Sequence, residues 1–219
     1  MEVLTDMEIT WYGHACFRLR DKAVTVVTDP YDPSIGYTLP RVRADIVTVS
    51  HNHGDHNYVS GIKGKPRVVD GPGEYEIKGV FITGIATFHD RKKGAQRGCN
   101  TVFLFEFNDL TICHLGDLGH VPTQAQVEAL SDVDILLIPV GGVSTIGAPQ
   151  AAEVISLVEP RIVIPMHYKT KALTIKLASV ERFLQEMGLK KLVAQESLKV
   201  TGSTLPEETQ LVLLDYKEG

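Results

Sequence analysis

Cysteine is scarce in this chain and scattered: Cys16, Cys99 and Cys113 stand far apart, with no C-x-x-C pair among them. That argues against a disulfide framework and against a cysteine zinc site, and reads as three buried thiols. Long apolar runs are missing as well. "DILLIPVGGV" and "RIVIPM" reach about half the length of a bilayer span or less. The opening "MEVLTDMEIT" has neither the basic nor the apolar region of an export signal, so a soluble, cytoplasmic protein without membrane contact is expected. No linker rich in proline, glycine or serine, no low-complexity segment and no repeat divides the chain, and residues 1–219 read as one domain. Positive charge is not in excess. A formal net charge of −5 disfavours a nonspecific nucleic-acid or membrane-surface binder.

What the chain does have is enough apolar content, 43% of 219 residues, to bury a full core. The first half carries short β-rich segments: "EITWY", "ACFRLR", "AVTVVTD", "DIVTVS", "RVVD", "GVFITGIAT", "TVFLFEF" and "LTICHL". The period then changes. A helix opened by Pro122 is expected over 121–130, a strand at "DILLIPV", a helix over 148–159 and a strand at "RIVIPM". A further helix over 179–188, with Ser179 as N-cap and Gly188 as its stop, precedes closing strands at "KLVA" and "QLVLLDY". Helices covering the outer faces of packed sheets follow from that order.

Histidine is the outstanding presence. His14, His51, His53, His56, His89, His114, His120 and His167 all lie at or near expected strand ends, where α/β folds place their chemistry. In "SHNHGDHN", His51, His53 and His56 share six positions with Asp55. A purely structural cluster of that density is disfavoured, because imidazoles repel one another when protonated and pack poorly. In an extended loop, residues two apart point to one side, so His51 and His53 can converge on one cation. If the chain turns helically near Gly54, Asp55 and His56 face a second. Imidazole with carboxylate suits zinc first, with manganese, iron and nickel as alternatives.

"HNHGDH" resembles the H-x-H-x-D-H motif of the metallo-β-lactamase fold superfamily, and the later segments are similar in order and spacing: "TFHDRK", "HLGDLGH" and "VIPMHY". The N-terminal "YGHACFRL…VVTDP" is similar to the branch containing ascorbate-6-phosphate lactonase and N-acyl-phosphatidylethanolamine phospholipase D. The resemblance implies an α/β fold, a four-layer αββα sandwich with metals at the upper edge between two sheets. It implies His51, His53 and His89 on one metal, Asp55, His56 and His167 on the other, and Asp117 bridging both. Asp29 resembles the buried aspartate that orients a metal-bound histidine. His14 and His114 are expected in the surrounding hydrogen-bond network.

Two divalent transition-metal ions so placed would generate a bridging hydroxide, oriented by Asp55, that cleaves an ester-type bond such as a phosphodiester or lactone. His120, three residues beyond Asp117, is the candidate acid for the leaving group. Arg91, Lys92, Lys93 and Arg97 follow His89 and point to a small anionic substrate. Gly141-Gly142 resembles a family loop near the site. A homo-oligomer is compatible with the sequence. Other members fit less well: flavodiiron oxygen reductases usually carry glutamate where His53 stands, and class B β-lactamases carry cysteine where Asp117 aligns. A non-catalytic metal-binding regulatory module, or a mononuclear iron enzyme similar to the persulfide dioxygenases, are the alternatives. "GDL" and "HDR" depart from the commoner "GDT" and "HSS".

Overall fold

The computed structural model describes residues 7–219. The first six residues, on which the reading of the N-terminus partly rests, lie outside them. A first sheet contains β1 (Met7–Trp11), β2 (Phe17–Arg20), β3 (Thr25–Thr28), β4 (Ile46–Thr48), β5 (Arg67–Val69) and the late strand β12 (Leu198–Val200). Its order is β12-β1-β2-β3-β4-β5. The second contains β6 (Gly73–Ile77), β7 (Val80–Phe88), β8 (Cys99–Phe107), β9 (Leu110–His114), β10 (Ile135–Pro139), β11 (Ile162–Met166) and β13 (Gln210–Leu211), in the order β13-β11-β10-β9-β8-β7-β6. Both sheets are mixed. The strands from β1 to β3 alternate in direction, β3, β4 and β5 run parallel, β6 to β9 form an antiparallel meander, and β9, β10, β11 and β13 run parallel.

The sequence pattern explains the layering. β10 and β11 are buried at every position, as expected of parallel strands covered on both faces. The sheets face each other across Trp11, Phe17, Phe103, Phe105, Ile112 and their neighbours. Helix α2 (Ala148–Val158) buries Ala148, Ala151, Val154, Ile155 and Val158, which is the spacing of a single helix face. Each of its larger aliphatics contributes about 1.5–3 kcal/mol by leaving water. The flanking helices α1 (Gln124–Glu128) and α3 (Val180–Glu186) are shorter. The layer over the first sheet is thinner. There two single-turn 3-10 helices, Pro33–Ile35 and Val59–Gly61, and extended chain carrying Tyr31, Tyr37, Leu173 and Leu177 do the covering.

The four-layer αββα order therefore holds, with local corrections. The "KLVA" segment forms no strand, and Val193 is 81% exposed; the pairing with β1 falls to β12 a few residues later, where Leu198 and Val200 alternate inward. Only Gln210 and Leu211 of "QLVLLDY" are strand. The helix expected over 121–130 shortens to α1, because Thr123 rather than Pro122 starts it, through a capping box with Gln126. Ser179 stands at the N-cap of α3 without a side-chain cap bond, while Gly188 takes the left-handed conformation that ends it. Cys99 is exposed, unlike Cys16 and Cys113, because it opens β8 beside a surface turn. No helix among the described residues is long and apolar enough to cross a membrane.

Candidate metal centre

The pairing directions bring the C-terminal ends of β1, β3, β4, β7, β9 and β11 to one edge. His14 follows β1, Asp29 follows β3, His51 to His56 follow β4, His89 follows β7, Asp117 follows β9 and His167 follows β11. Residues more than a hundred positions apart thus meet. After His53 the chain makes a single turn, with the His56 and Asn57 N–H groups donating to the His53 carbonyl, but no helix forms.

Asp117 is the centre of the arrangement. Its Oδ2 lies 3.3 Å from His89 Nε2, and its Oδ1 lies 3.2 Å from His167 Nε2 and 3.4 Å from His56 Nε2. On one side His51, His53 and His89 present ligand atoms within 4.8 Å of one another; on the other, His14, His56 and His167 do the same. Asp55 joins the second side, its Oδ2 being 3.7 Å from His56 Nε2 and 3.2 Å from His14 Nε2.

Behind the rings, Asp29 is fully buried. It accepts from His56 Nδ1 at 2.8 Å, from the Ser50 hydroxyl at 2.6 Å and from the Ser50 N–H at 2.8 Å. The Ser50 hydroxyl in turn accepts from His51 Nδ1 at 2.9 Å. Both histidines therefore carry their proton on Nδ1, which leaves Nε2 as a lone pair. Among the described residues those two Nε2 atoms, which are buried, have no hydrogen-bond partner, and Asp117 Oδ1 is likewise buried and unpartnered. Orphaned lone pairs beside a buried carboxylate are costly unless a cation completes them. The donor set of imidazoles and carboxylates, without a thiolate, fits two divalent transition-metal ions.

Electrostatics point the same way. Burial pushes the Asp117 carboxyl up, but His167 and His56 outweigh it and hold it well below the carboxylate range. Burial, with repulsion from His56, lowers His51 to about 3, and burial with His167 lowers His14 to about 4. Burial also lowers His89. His56 goes the other way: burial lowers it, yet Asp117 and Asp29 raise it well above the ordinary imidazole value.

Two glycines make the approach of segments feasible. A side chain on Gly116, whose φ is +55°, would meet Asn100 Oδ1 at 2.5 Å and Ser50 Cβ at 2.6 Å; one on Gly119 would meet the Asp90 nitrogen and the His89 carbonyl carbon at 2.3 Å. This explains the glycines on either side of Asp117-Leu118. Asn100, which sequence reasoning did not single out, orders the turn: its Oδ1 accepts the Asp117 N–H at 2.8 Å, while its amide donates to Thr87 Oγ1 and the Leu115 carbonyl. No local motif marks it. His114 donates from Nε2 to the Ala15 carbonyl and accepts the Gly116 N–H at Nδ1, tying β9 to the β1–β2 turn.

His120 and the segment after His89 are both held by backbone hydrogen bonds. His120 accepts the Phe88 N–H at Nε2, 3.3 Å away, and donates from Nδ1 to the Val121 carbonyl at 2.8 Å. Both ring nitrogens thus meet backbone groups, and the Nδ1 proton points at a carbonyl. The segment after His89 is ordered by a single side chain. Asp90, 7% exposed, accepts the backbone N–H groups of Lys92, Gly94, Gln96 and Arg97 at 2.7–3.1 Å, so the loop winds around one carboxylate. Arg91, Lys92, Lys93 and Arg97 stand exposed on it, and none pairs with a carboxylate among the described residues. Gly141 packs against the ligand segment: a Cβ there would meet the His167 carbonyl oxygen at 2.1 Å.

Comparison with known proteins gives consistent matches. A sequence profile for the beta-lactamase superfamily domain matches residues 8–167. A UPF0173 protein of Pyrococcus abyssi is 30% identical over 181 residues, covering 75% of this chain and 84% of that protein. A protein of Desulforamulus reducens named UPF0173 metal-dependent hydrolase is 29% identical over 195 residues, covering 75% and 85%. Among solved structures, a Thermotoga maritima protein assigned as a Zn-dependent hydrolase of the metallo-β-lactamase superfamily superposes with a TM-score of 0.80 at 44% identity, over 96% of this chain and 100% of that one.

Proposed function

The chain belongs to the beta-lactamase superfamily, and from that premise we propose that it is a hydrolase that holds two divalent transition-metal ions, zinc first among them, on either side of Asp117. The observation that carries this is the Asp117 carboxylate, with one oxygen toward His89 and the other toward His56 and His167. The names of the Desulforamulus and Thermotoga relatives support it. His51, His53 and His89 would hold one ion, Asp55, His56 and His167 the other, and Asp117 both. Bound there, the ions supply a water nucleophile at neutral pH and an electrophile for a substrate oxygen, so no serine or cysteine nucleophile is needed. Asp29 and Ser50 fix the tautomers of His56 and His51, which raises their strength as ligands. The exposed cations after His89 concentrate an anionic substrate at the edge where the centre opens, and an ester-type bond in a small phosphorylated or carboxylated molecule fits that field.

Elemental analysis of the full chain, replete with zinc, tests the metal reading: two ions per chain are expected, and at most one overturns it. Activity on a panel of phosphodiesters, lactones and thioesters should vanish on chelation and return with metal. The anionic preference has its own check. Neutralising Arg91 and Lys92 together should raise KM for a phosphorylated substrate and flatten its salt dependence while kcat holds, with a neutral ester of equal size indifferent. Equal behaviour of both substrates removes the anionic preference and leaves the hydrolase reading standing.

A further inference from the structure

Asp55 sits on the one-turn segment after β4, its side chain is 26% exposed, and Gly54 beside it has nothing within 4 Å of a would-be Cβ. A carboxylate on so open a turn has several rotamers available to it. Among the described residues, the one hydrogen bond its side chain makes is to His14 Nε2, at 3.2 Å. His14 itself is fully buried and held from its backbone. Its carbonyl accepts from Trp11 Nε1 and from the His167 N–H, both at 3.0 Å. Its φ of +53° is unusual for a residue with a side chain. Its ring lies 4.2 Å from that of His167 and 4.8 Å from that of His56, centroid to centroid. A strained, buried, backbone-locked histidine thus reaches from the β1–β2 turn to the most exposed carboxylate of the centre.

We propose that His14 is the positioning residue for the second ion: with its proton on Nε2 it donates to Asp55 Oδ2 and holds that carboxylate beside His56 and His167. The proposal rests on the two-ion reading above. It makes the β1–β2 turn part of the metal centre, because the same residue fixes Asp55 through its ring and the His167 backbone through its carbonyl.

Calorimetric titration of the metal-stripped full chain with Zn²⁺, paired with visible spectra of Co²⁺ uptake, tests it without any substrate. His14→Ala should weaken the second binding event by about 10- to 100-fold, the usual effect of losing a residue that orients a ligand, and leave the first unchanged. His14→Gln, whose amide can donate from roughly the position of Nε2, should restore most of the affinity and a parent-like cobalt spectrum. In an Asp55→Asn background, His14→Ala should add nothing further. Unchanged zinc affinity in His14→Ala would reduce His14 to a packing residue. Equal losses in His14→Ala and His14→Gln, with an altered cobalt spectrum, would make the imidazole a direct ligand and overturn the positioning role. If His14→Ala does not fold, His14→Gln decides alone: affinity near that of the parent supports the proposal, and affinity matching Asp55→Asn overturns it. A parent chain that takes up a single ion fails earlier, at the two-ion reading, and takes this proposal with it.

Discussion

The two sides of Asp117 differ in a way their shared residue types conceal. On the His89 side all three candidate ligands are imidazoles, and His53 among them is exposed. On the His56 side the three imidazoles are buried, and a carboxylate, Asp55, joins them. The backing differs too: His56 leans directly on the Asp29 carboxylate, whereas His51 leans on a hydroxyl that relays to the same Asp29. A carboxylate behind a ring makes it a stronger ligand than a hydroxyl does. The His56 side is therefore closed to solvent, and the His89 side is open to it at His53.

The largest effect should come from the residue both sides share. Asp117→Asn removes the charge facing both groups, and turnover should fall by about 10³-fold or more, the scale of several kcal/mol of lost charge stabilisation, with both ions lost in elemental analysis. Retention of either ion at parent affinity would show that the two sides are independent. Next, Asp29→Ala should weaken both binding events by about 10- to 100-fold, whereas Ser50→Ala should weaken mainly one and by less, since its hydroxyl meets His51 alone among the candidate ligands and its N–H still donates to Asp29. Equal losses at both events in the two variants would erase the distinction in backing.

Asp90 sharpens the comparison on the exposed side. Burial pushes its carboxyl up, but the N–H groups of Arg97, Gln96, Lys92 and Gly94 outweigh this and hold it below its ordinary 3.8. A folded-state value below the unfolded one means the unfolded chain takes up the proton first. The contribution of this loop is thus complete above about pH 4 and is lost as pH falls through the folded value. Asp90→Asn should flatten that acid limb of the stability curve and speed amide exchange in residues 91–97, while leaving the His56 side unaffected. An acid limb identical to that of the parent would count against this account. The smallest effect is expected at His120, which belongs to neither side. His120→Ala should lower activity by similar, modest factors on activated and unactivated esters. A loss confined to substrates with poor leaving groups would give it the role of acid.

Much of this could be read before any coordinates. "SHNHGDHN" announces a metal centre because its chemistry is local: four ligand-type side chains within six positions have few other uses. The parallel strands β10 and β11 were equally legible, since burial on both faces leaves an uninterrupted apolar run. The closing strands were not. "KLVA" has the right composition, but strand formation there depends on which residues β1 leaves unpaired, and register is a property of the partner. The capping box that starts α1 is written in Thr123, one residue beyond Pro122, and Gln126.

What the sequence by itself determined is the inventory: which groups can ligate, the order in which strands deliver them, and the small volumes at Gly116 and Gly119 that let the delivered segments touch. What only the tertiary structure decided is where each proton and lone pair points. His120 stands three residues from Asp117 yet turns both nitrogens to backbone, while His14, more than a hundred residues from Asp117, turns its ring to Asp55. Asn100 and Asp90, with no motif around them, order the two turns that flank the centre. Hydrogen bonds act over about 3 Å and require direction as well as distance, so they are settled by the packing of strand ends from distant parts of the chain and leave no trace in its linear spacing.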